Sequence, residues 1–188
     1  MHLTRYTMYR QIGEALQGRL QGRILGISGI ANFEQFIDRR NAEVVEVAYP
    51  EVDMQRLPFA DEEFDAVISD QVIAHVEDPR RALAEAFRVL KRGGLGIHTT
   101  RASGPPDPYP RDCYRFTKDG LLATCPPGLE VLQLASWGNR FAMGLMLVRD
   151  GFFRFMRIPE RPGIRRWLAT YNEDAHPIHV WIVARKPR

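Results

Sequence analysis

The spacing of apolar positions changes several times along the chain, and each change marks an element. Leu3, Tyr6, Tyr9, Ile12, Leu16 and Leu20 recur at helical spacing with Arg and Gln between them. This predicts an amphipathic helix over 3–21, lying on the domain and ended by Gly22. Arg23-Ile24-Leu25-Gly26-Ile27-Ser28-Gly29 reads as a short buried strand opening into a glycine turn. A helix from about Phe33 to Arg39 and a β-rich run from Glu43 to Val47 follow. Phe64-Asp65-Ala66-Val67-Ile68-Ser69 is a further buried strand. Asp78-Pro79 starts a helix, with Asp78 as N-cap and Pro79 at the first helical position. That helix buries Ala82, Leu83, Ala86, Phe87 and Leu90 and stops at Lys91-Arg92-Gly93-Gly94. Leu95 to Thr100 is the next strand, so strand, helix and strand form a parallel βαβ unit with a right-handed crossover.

Residues 101–112 are rich in Pro, Gly and Asp and predict a loop, including Gly104-Pro105-Pro106-Asp107-Pro108. A short capped helix is expected from Thr117 to Leu122. Leu129 to Ala135 and Val180 to Ala184 read as strands at the antiparallel edge of the sheet, and 139–168 is rich in Phe, Met and Arg. With no repeat and no linker, the 188 residues are expected to form a single domain, 1–188. Its N-terminal helix occupies 1–22, and 101–116 and 139–168 serve as lid or substrate segments.

Composition narrows the class. A hydrophobic fraction of 45% and a charged fraction of 26% are ordinary for a globular protein. No apolar run approaches the roughly 20 residues of a membrane span. The N-terminus, with Arg5 and Arg10, lacks the apolar core of a signal peptide, so a cytoplasmic location is expected. Cys113 and Cys125 make neither a disulfide framework nor a metal cluster. The net charge of +3 suits an anionic small substrate as well as a nucleic acid. Because the basic residues gather in one Phe-rich segment rather than along a stripe, no nucleic-acid partner is expected.

The most specific string is Asp53-Met54-Gln55-Arg56-Leu57-Pro58-Phe59, followed by the strand from Phe64 and then by His75, Asp78-Pro79, Glu85, Arg88-Val89-Leu90-Lys91 and Gly93-Gly94. It resembles the class I S-adenosylmethionine (SAM)-dependent methyltransferases, the type 11 group in particular, over residues 23–100. The resemblance implies a Rossmann-like three-layer α/β sandwich, mostly parallel with an antiparallel edge. It implies SAM as cofactor and S-adenosylhomocysteine as product. Asp53 would then accept from the adenine amino group and Met54 would pack on the ring. Gly26, Ser28 and Gly29 would face the methionine part, and Asp70 and Gln71 would border the sulfonium and the substrate. Two departures stand out. The first motif, Leu25-Gly26-Ile27-Ser28-Gly29-Ile30-Ala31-Asn32, lacks the family's acidic residue. Only Ala48-Tyr49-Pro50-Glu51-Val52 separates Val47 from Asp53, so a helix and a strand are missing before Asp53. The ribose carboxylate must be Glu46 or Glu51, or be absent.

Methyl transfer is an in-line displacement that needs chiefly proximity and orientation. An oxygen or nitrogen acceptor also needs to lose a proton, and His75 and His98 are candidates for receiving it, each also open to a structural reading. Asp112, Tyr114 and Arg115 follow the Pro-rich loop, in place either to serve substrate chemistry or to anchor the chain locally. Trp137, Asn139 and Arg140 would line the substrate side or form a capped turn. Arg149, Arg154, Arg157, Arg161, Arg165 and Arg166, interleaved with Phe152, Phe153, Phe155, Met156 and Ile158, admit three readings. They form a packed lid, a grip on a phosphate-bearing substrate, or a contact with an anionic membrane or a partner. His176 and His179 stand three apart about an extended strand, on opposite faces, so no metal is expected. The expected function is methyl transfer from SAM to an oxygen or nitrogen of a small molecule, such as a sugar, nucleotide or secondary metabolite. The alternatives are a non-methylating enzyme on the same scaffold and a non-catalytic binding protein. A homodimer stays open.

Overall fold

The computed structural model describes residues 3–16, 18–106, 111–148 and 162–188. Their strands alternate side chains between two apolar layers, and that alternation builds the fold. Ile24, Ala66, Ile68, Ile97, Trp181 and Val183 face one core, completed by Met8, Tyr9 and Ile12 of α1 (Tyr6–Leu16) and by Leu168 and Ala169 of α5 (Ile164–Thr170). Leu25, Ile27, Val67, Val180, Ile182 and Ala184 face the other, beneath α2 (Pro79–Arg88) and α3 (Lys118–Thr124). Burial on both sides is why these strands read as nearly continuous apolar runs.

The sheet has the order β2-β1-β3-β4-β6-β5. β1 (Leu20–Ile27), β2 (Ile37–Val47), β3 (Phe64–Asp70) and β4 (Leu90–Arg101) run parallel. β6 (His179–Arg185) runs antiparallel to β4 and to β5 (Glu130–Trp137), which forms the edge. This is the expected α/β architecture, with the antiparallel strand one place in from the edge. α2 starts as its sequence predicts: Asp78 Oδ1 accepts from Arg81 N at 3.0 Å with Pro79 at the first position. Thr117 caps α3 by accepting from Gly120 N at 3.0 Å.

Three boundaries differ from expectation. The N-terminal helix ends at Leu16, and β1 already starts at Leu20, so Gly22 belongs to the strand rather than ending the helix. Gly22 has φ 77° and lies against Asp65, whose carboxylate takes the Arg23 N–H at 2.8 Å. The helix expected over Phe33–Arg39 is absent. A single 3₁₀ turn, Glu34–Phe36, leads directly into an eleven-residue β2. Phe33 and Ile37 are both drawn into the α1 core, where the Phe33 ring meets Tyr9 edge-on at 5.4 Å. Finally, Gly93-Gly94 is not a helix stop. α2 ends at Arg88, and Phe64 pairs with Leu90 while Ala66 pairs with Leu95, so 91–94 form an irregularity inside β4. Gly93 N and Gly94 O bond to Lys186 at 2.8 and 3.0 Å.

Residues 48–63, between β2 and β3, contain neither helix nor strand, so the connection is as compact as the sequence implies. Arg88 holds it. Its guanidinium donates to the carbonyls of Leu57 (3.1 Å) and Phe59 (2.9 Å) and to Asp61 (2.6 Å). It also pairs with Glu85 (2.7 and 2.9 Å), which accepts from Leu57 N at 3.0 Å.

Arg88→Ala removes donors from two carbonyls and a carboxylate, and is expected to lower stability by about 1–3 kcal/mol in urea denaturation. Arg88 holds the Glu85 carboxyl below its usual value of 4.5. The folded state thus keeps Glu85 ionised where the unfolded chain takes up a proton. The stabilisation is complete above that value and is lost as the pH falls below it. The acid-side loss should shrink in Arg88→Ala.

Candidate functional site

From β1 the chain crosses to β2 on one side, while β3 lies on the other. The carboxyl ends of β1 and β3 therefore flank the point where strand order reverses, the place where open α/β sheets bind ligands. A cavity of about 460 Å³ opens there, within the ~300–1,000 Å³ range of small-molecule sites. Ile27 and Ser28 line it from β1, and Tyr49, Val52, Asp53, Met54 and Gln55 from the compact connection. Asp70, Gln71, Val72, His75, Val76 and Glu77 come from the end of β3 and the turn after it, and Arg111 from beyond the Pro-rich loop. Ser28 (φ 63°) and Gln71 (φ 62°), each just past one of the flanking strands, both adopt the left-handed conformation. For residues other than glycine this is uncommon and concentrates at ligand sites.

Each cavity wall has its own support. Asp53 Oδ1 accepts from Gln55 N at 2.8 Å, and both its oxygens accept from the Gln55 side-chain amide (3.2 and 3.1 Å). Gln55 Oε1 in turn accepts from Asp78 N at 2.8 Å, and Arg81 Nε donates to the Gln55 carbonyl at 3.0 Å. One glutamine thus fixes the Asp53 carboxylate relative to the start of α2. Met54 is buried beside it. On the opposite wall Asp70 accepts from Tyr9 Oη (2.6 Å), Asn32 Nδ2 (3.0 Å) and Thr99 Oγ1 (2.6 Å), with Arg5 at 4.0 Å. Burial, with the Asp70 charge, pushes the Tyr9 phenol far up, so it serves as a donor. Gln71 N and Nε2 each donate to Thr99 Oγ1 at 3.0 Å, which leaves the buried Gln71 Oε1 an unused acceptor.

His75 Nδ1 lies 3.0 Å from the Arg111 carbonyl. A carbonyl only accepts, so Nδ1 carries the proton and Nε2 is the basic nitrogen of the neutral ring. Arg111 pairs with Glu77 at 2.8 Å.

Among the sequence-derived candidates, Ser28, Asp53, Met54, Asp70, Gln71 and His75 converge on this cavity. The others are placed elsewhere. Gly26 does not face it: a Cβ there would collide with the Ile30 side chain, which fills the space the glycine leaves. Gly29 (φ 91°) has open space around it, and Glu46 is exposed on β2 with its side chain toward Gly26; neither lines the cavity.

His98 is fully buried under α2, its Nδ1 2.8 Å from Ser69 Oγ and its ring edge-on to Phe87. Burial pushes its imidazole down to about 3, which suits a core histidine rather than a base. Asp112 and Arg115 pair with each other, and Arg115 also reaches the Pro105 carbonyl at 3.2 Å. Tyr114 Oη donates to the Glu77 carbonyl at 2.8 Å. These three anchor the loop. Trp137 is buried in the α1 core. Asn139 accepts from Ala142 N (2.8 Å) and donates to the carbonyls of Leu168 and Tyr171 (3.0 and 2.9 Å), so it caps α4 (Arg140–Val148) and ties it to α5. Arg140 pairs with Glu173, which it holds down to about 2. Residues 107–110 and the Arg/Phe-rich 149–161 lie outside the described residues.

Sequence reasoning missed Tyr49, Gln55, Glu77 and Arg111. The first three sit beside motif positions, a proximity that is a usable signal. Arg111 lies in the 101–116 segment expected to serve as a lid, directly before Asp112.

Residues 11–97 match a family model described as a methyltransferase domain. The chain is 28% identical to phosphatidylethanolamine N-methyltransferase of Cereibacter sphaeroides over 80% of its own length and 77% of the relative's. It spans only 21% and 40% of two other leading curated relatives. Geranyl diphosphate C-methyltransferase of Streptomyces coelicolor superposes with a TM-score of 0.59 at 13% identity, over 96% of this chain and 78% of that one. The cyclase SpnF superposes at 0.56 and 19% identity, over 95% and 80%.

Ile30 plugs the place where a ligand would otherwise approach Gly26. Gly26→Ala should therefore destabilise the fold by roughly 1–3 kcal/mol through overpacking. Adding Ile30→Ala to Gly26→Ala should recover part of that loss, giving a non-additive double-mutant cycle in thermal or urea unfolding. Additive effects would place Ile30 away from Gly26.

Proposed function

We propose that the chain is a class I SAM-dependent methyltransferase that transfers a methyl group from SAM to an oxygen or nitrogen of a small molecule, a reading supported by the methyltransferase-domain match over residues 11–97. The observation that carries this reading is the convergence of Asp53 and Met54, the two motif residues the resemblance assigns to adenine, with Ser28, Asp70 and Gln71 on one cavity at the strand switch point. A partly exposed carboxylate beside a buried thioether is chemistry that fits an amino-bearing aromatic ring. At the other wall, Gln71 Oε1 is an unused acceptor beside the Asp70 carboxylate. Such oxygens favour a nearby sulfonium electrostatically. No carboxylate from β2 lines the cavity, so ribose recognition falls to groups other than Glu46.

When bound, SAM supplies an electrophilic methyl on a positively charged sulfur. The chain's own part is to bind, orient and take a proton. Asp53, fixed by Gln55, orients the adenine end. Ser28 and Gln71 bring the chain reversals against the ligand. His75 Nε2 is the base that receives the acceptor's proton, with Arg111 and Glu77 at the same rim.

The relatives act on phosphatidylethanolamine and on geranyl diphosphate by their names. Arg111 and the arginine-rich composition of 140–171 suit an acceptor that carries phosphate. A second reading, a non-methylating reaction on the same scaffold, is favoured by the plugged Gly26 and by the likeness of fold to a cyclase.

Isothermal titration with SAM tests the proposal. Asp53→Ala should weaken binding about tenfold or more through loss of a charge-assisted hydrogen bond. Gln55→Ala should weaken it less, because the carboxylate remains but is no longer fixed. His75→Ala should leave SAM affinity within about twofold while lowering kcat by roughly 10²–10⁴ with an oxygen or nitrogen acceptor. No SAM binding by the parent chain would refute the reading. Turnover without S-adenosylhomocysteine would favour the second.

A further inference from the structure

Residues paired across neighbouring strands stand side by side on one face of a sheet. At the cavity edge, Arg101 of β4 pairs with His179 of β6, which pairs with Trp137 of β5. Deeper in the sheet, Asp70 pairs with Thr99, and Thr99 with Trp181. Side chains alternate along each strand, and Ile97, Trp137 and Trp181 belong to the α1 core, so both rows face α1. Arg5, in the turn Leu3–Arg5 before α1, reaches this face, its guanidinium 4.0 Å from Asp70 Oδ2.

Asp70 does not exhaust Arg5. Its Oδ2 accepts from Tyr9 and Asn32 and its Oδ1 from Thr99, and 4.0 Å to Arg5 is beyond hydrogen-bond reach. A guanidinium carries several N–H donors, and the Arg5 side chain keeps 25% of its surface exposed. His179 is 5% exposed, and its Nδ1 is buried without a hydrogen-bond partner, as is Trp137 Nε1 on the adjoining strand. Burial, with the charges of Arg5 and Arg101, pushes the His179 imidazole well below its usual value. The ring is therefore neutral at neutral pH and carries one N–H. Orphaned buried polar atoms are rare in native folds and call for a partner.

We propose that Arg5 and His179 bind an anionic group, carboxylate or phosphate, on the methyl acceptor, at the Asp70 wall of the cavity. The planar fork of Arg5 matches either oxyanion, and His179 supplies a neutral ring nitrogen beside it. Arg101, which donates to the Pro105 carbonyl at 3.2 Å, adds positive charge on the same row. A cationic acceptor is disfavoured twice. The arginines repel it, and the Asp70 oxygens already serve three donors. Asp70 also lines the cavity, so an acceptor anchored here stands beside the sulfonium border. The inference rests on the methyl-transfer reading of that cavity and names the group by which the acceptor is held.

The test titrates the full chain with inorganic phosphate and with acetate at constant ionic strength, with and without saturating SAM. Ring-nitrogen chemical shifts read the site, and His179→Gln assigns the His179 signals among the five histidines. A saturable shift of the His179 ring with at least one anion is the expected result. The tighter anion shows whether the acceptor carries phosphate or carboxylate. Arg5→Gln should weaken that binding about tenfold or more, and Arg5→Lys less, because the charge stays while the fork is lost. Arg92→Gln removes an exposed arginine paired with Glu62 at the opposite edge of the sheet and should leave binding within about twofold. No saturable His179 response to either anion in a parent chain that binds SAM overturns this inference alone, and needs no variant to fold. Equal weakening by Arg92→Gln overturns it as general attraction to net charge. A His179 response in a chain that binds no SAM overturns the assignment to a methyl acceptor.

Discussion

The Asp70 carboxylate at the end of β3 accepts hydrogen bonds from three separate parts of the chain: Tyr9 on α1, Asn32 in the turn after β1, and Thr99 on β4. It is almost wholly shielded from solvent, with Arg5 as its nearest cation. A buried charge persists only when such partners satisfy it. That requirement sets the position of the N-terminal helix over the active edge and of the first turn beside it. It also sets the depth at which Gln71, the next residue, turns back into the cavity through Thr99. The Gln55 bridge between Asp53 and the start of α2 does the same for the opposite wall. The cavity is the space these two polar clamps hold apart.

Much of this was legible in the sequence because it rests on local rules. The Asp78-Pro79 start of α2 is stereochemistry confined to a few residues, and it appears in the structure as expected. The buried strands around Ile24, Val67, Ile97 and Ile182 follow from period and composition. Asp53 and Met54 were placed by resemblance, and they do reach the cavity. What failed depended on packing between distant segments. The 33–39 stretch has helical spacing, yet Phe33 and Ile37 gain more by entering the core against Tyr9 and Leu20 than by forming two helical turns. For Trp137, Asn139 and Arg140, at the end of a strand where binding residues often gather, the sequence left a pocket lining and a capped turn both open. There they are respectively a core side chain, a cap joining two helices and a partner of Glu173. Only the contact between α4 and α5 decides that.

The glycine turn after β1 carries the physical tension in the site. A glycine there is ordinarily read as a place for close ligand approach, but the space above Gly26 belongs to Ile30. With the connection to β3 also shortened, the strand that would have supplied a ribose carboxylate turns Glu46 to solvent. On the proposed reading, recognition falls to two walls of the cavity, Asp53, Met54 and Gln55 for the adenine end and Asp70 and Gln71 for the sulfonium end. On that reading, a compact chain of this kind holds SAM by its two ends.

The most direct test of that account is an intermolecular NOE experiment with SAM and protein labelled at the methionine methyls, of which there are six. Met54 lines the cavity beside Asp53. Strong NOEs from its methyl to the adenine ring protons are the predicted result. A ligand that leaves the Met54 signal unchanged and shows its adenine NOEs to other methyls would contradict the account.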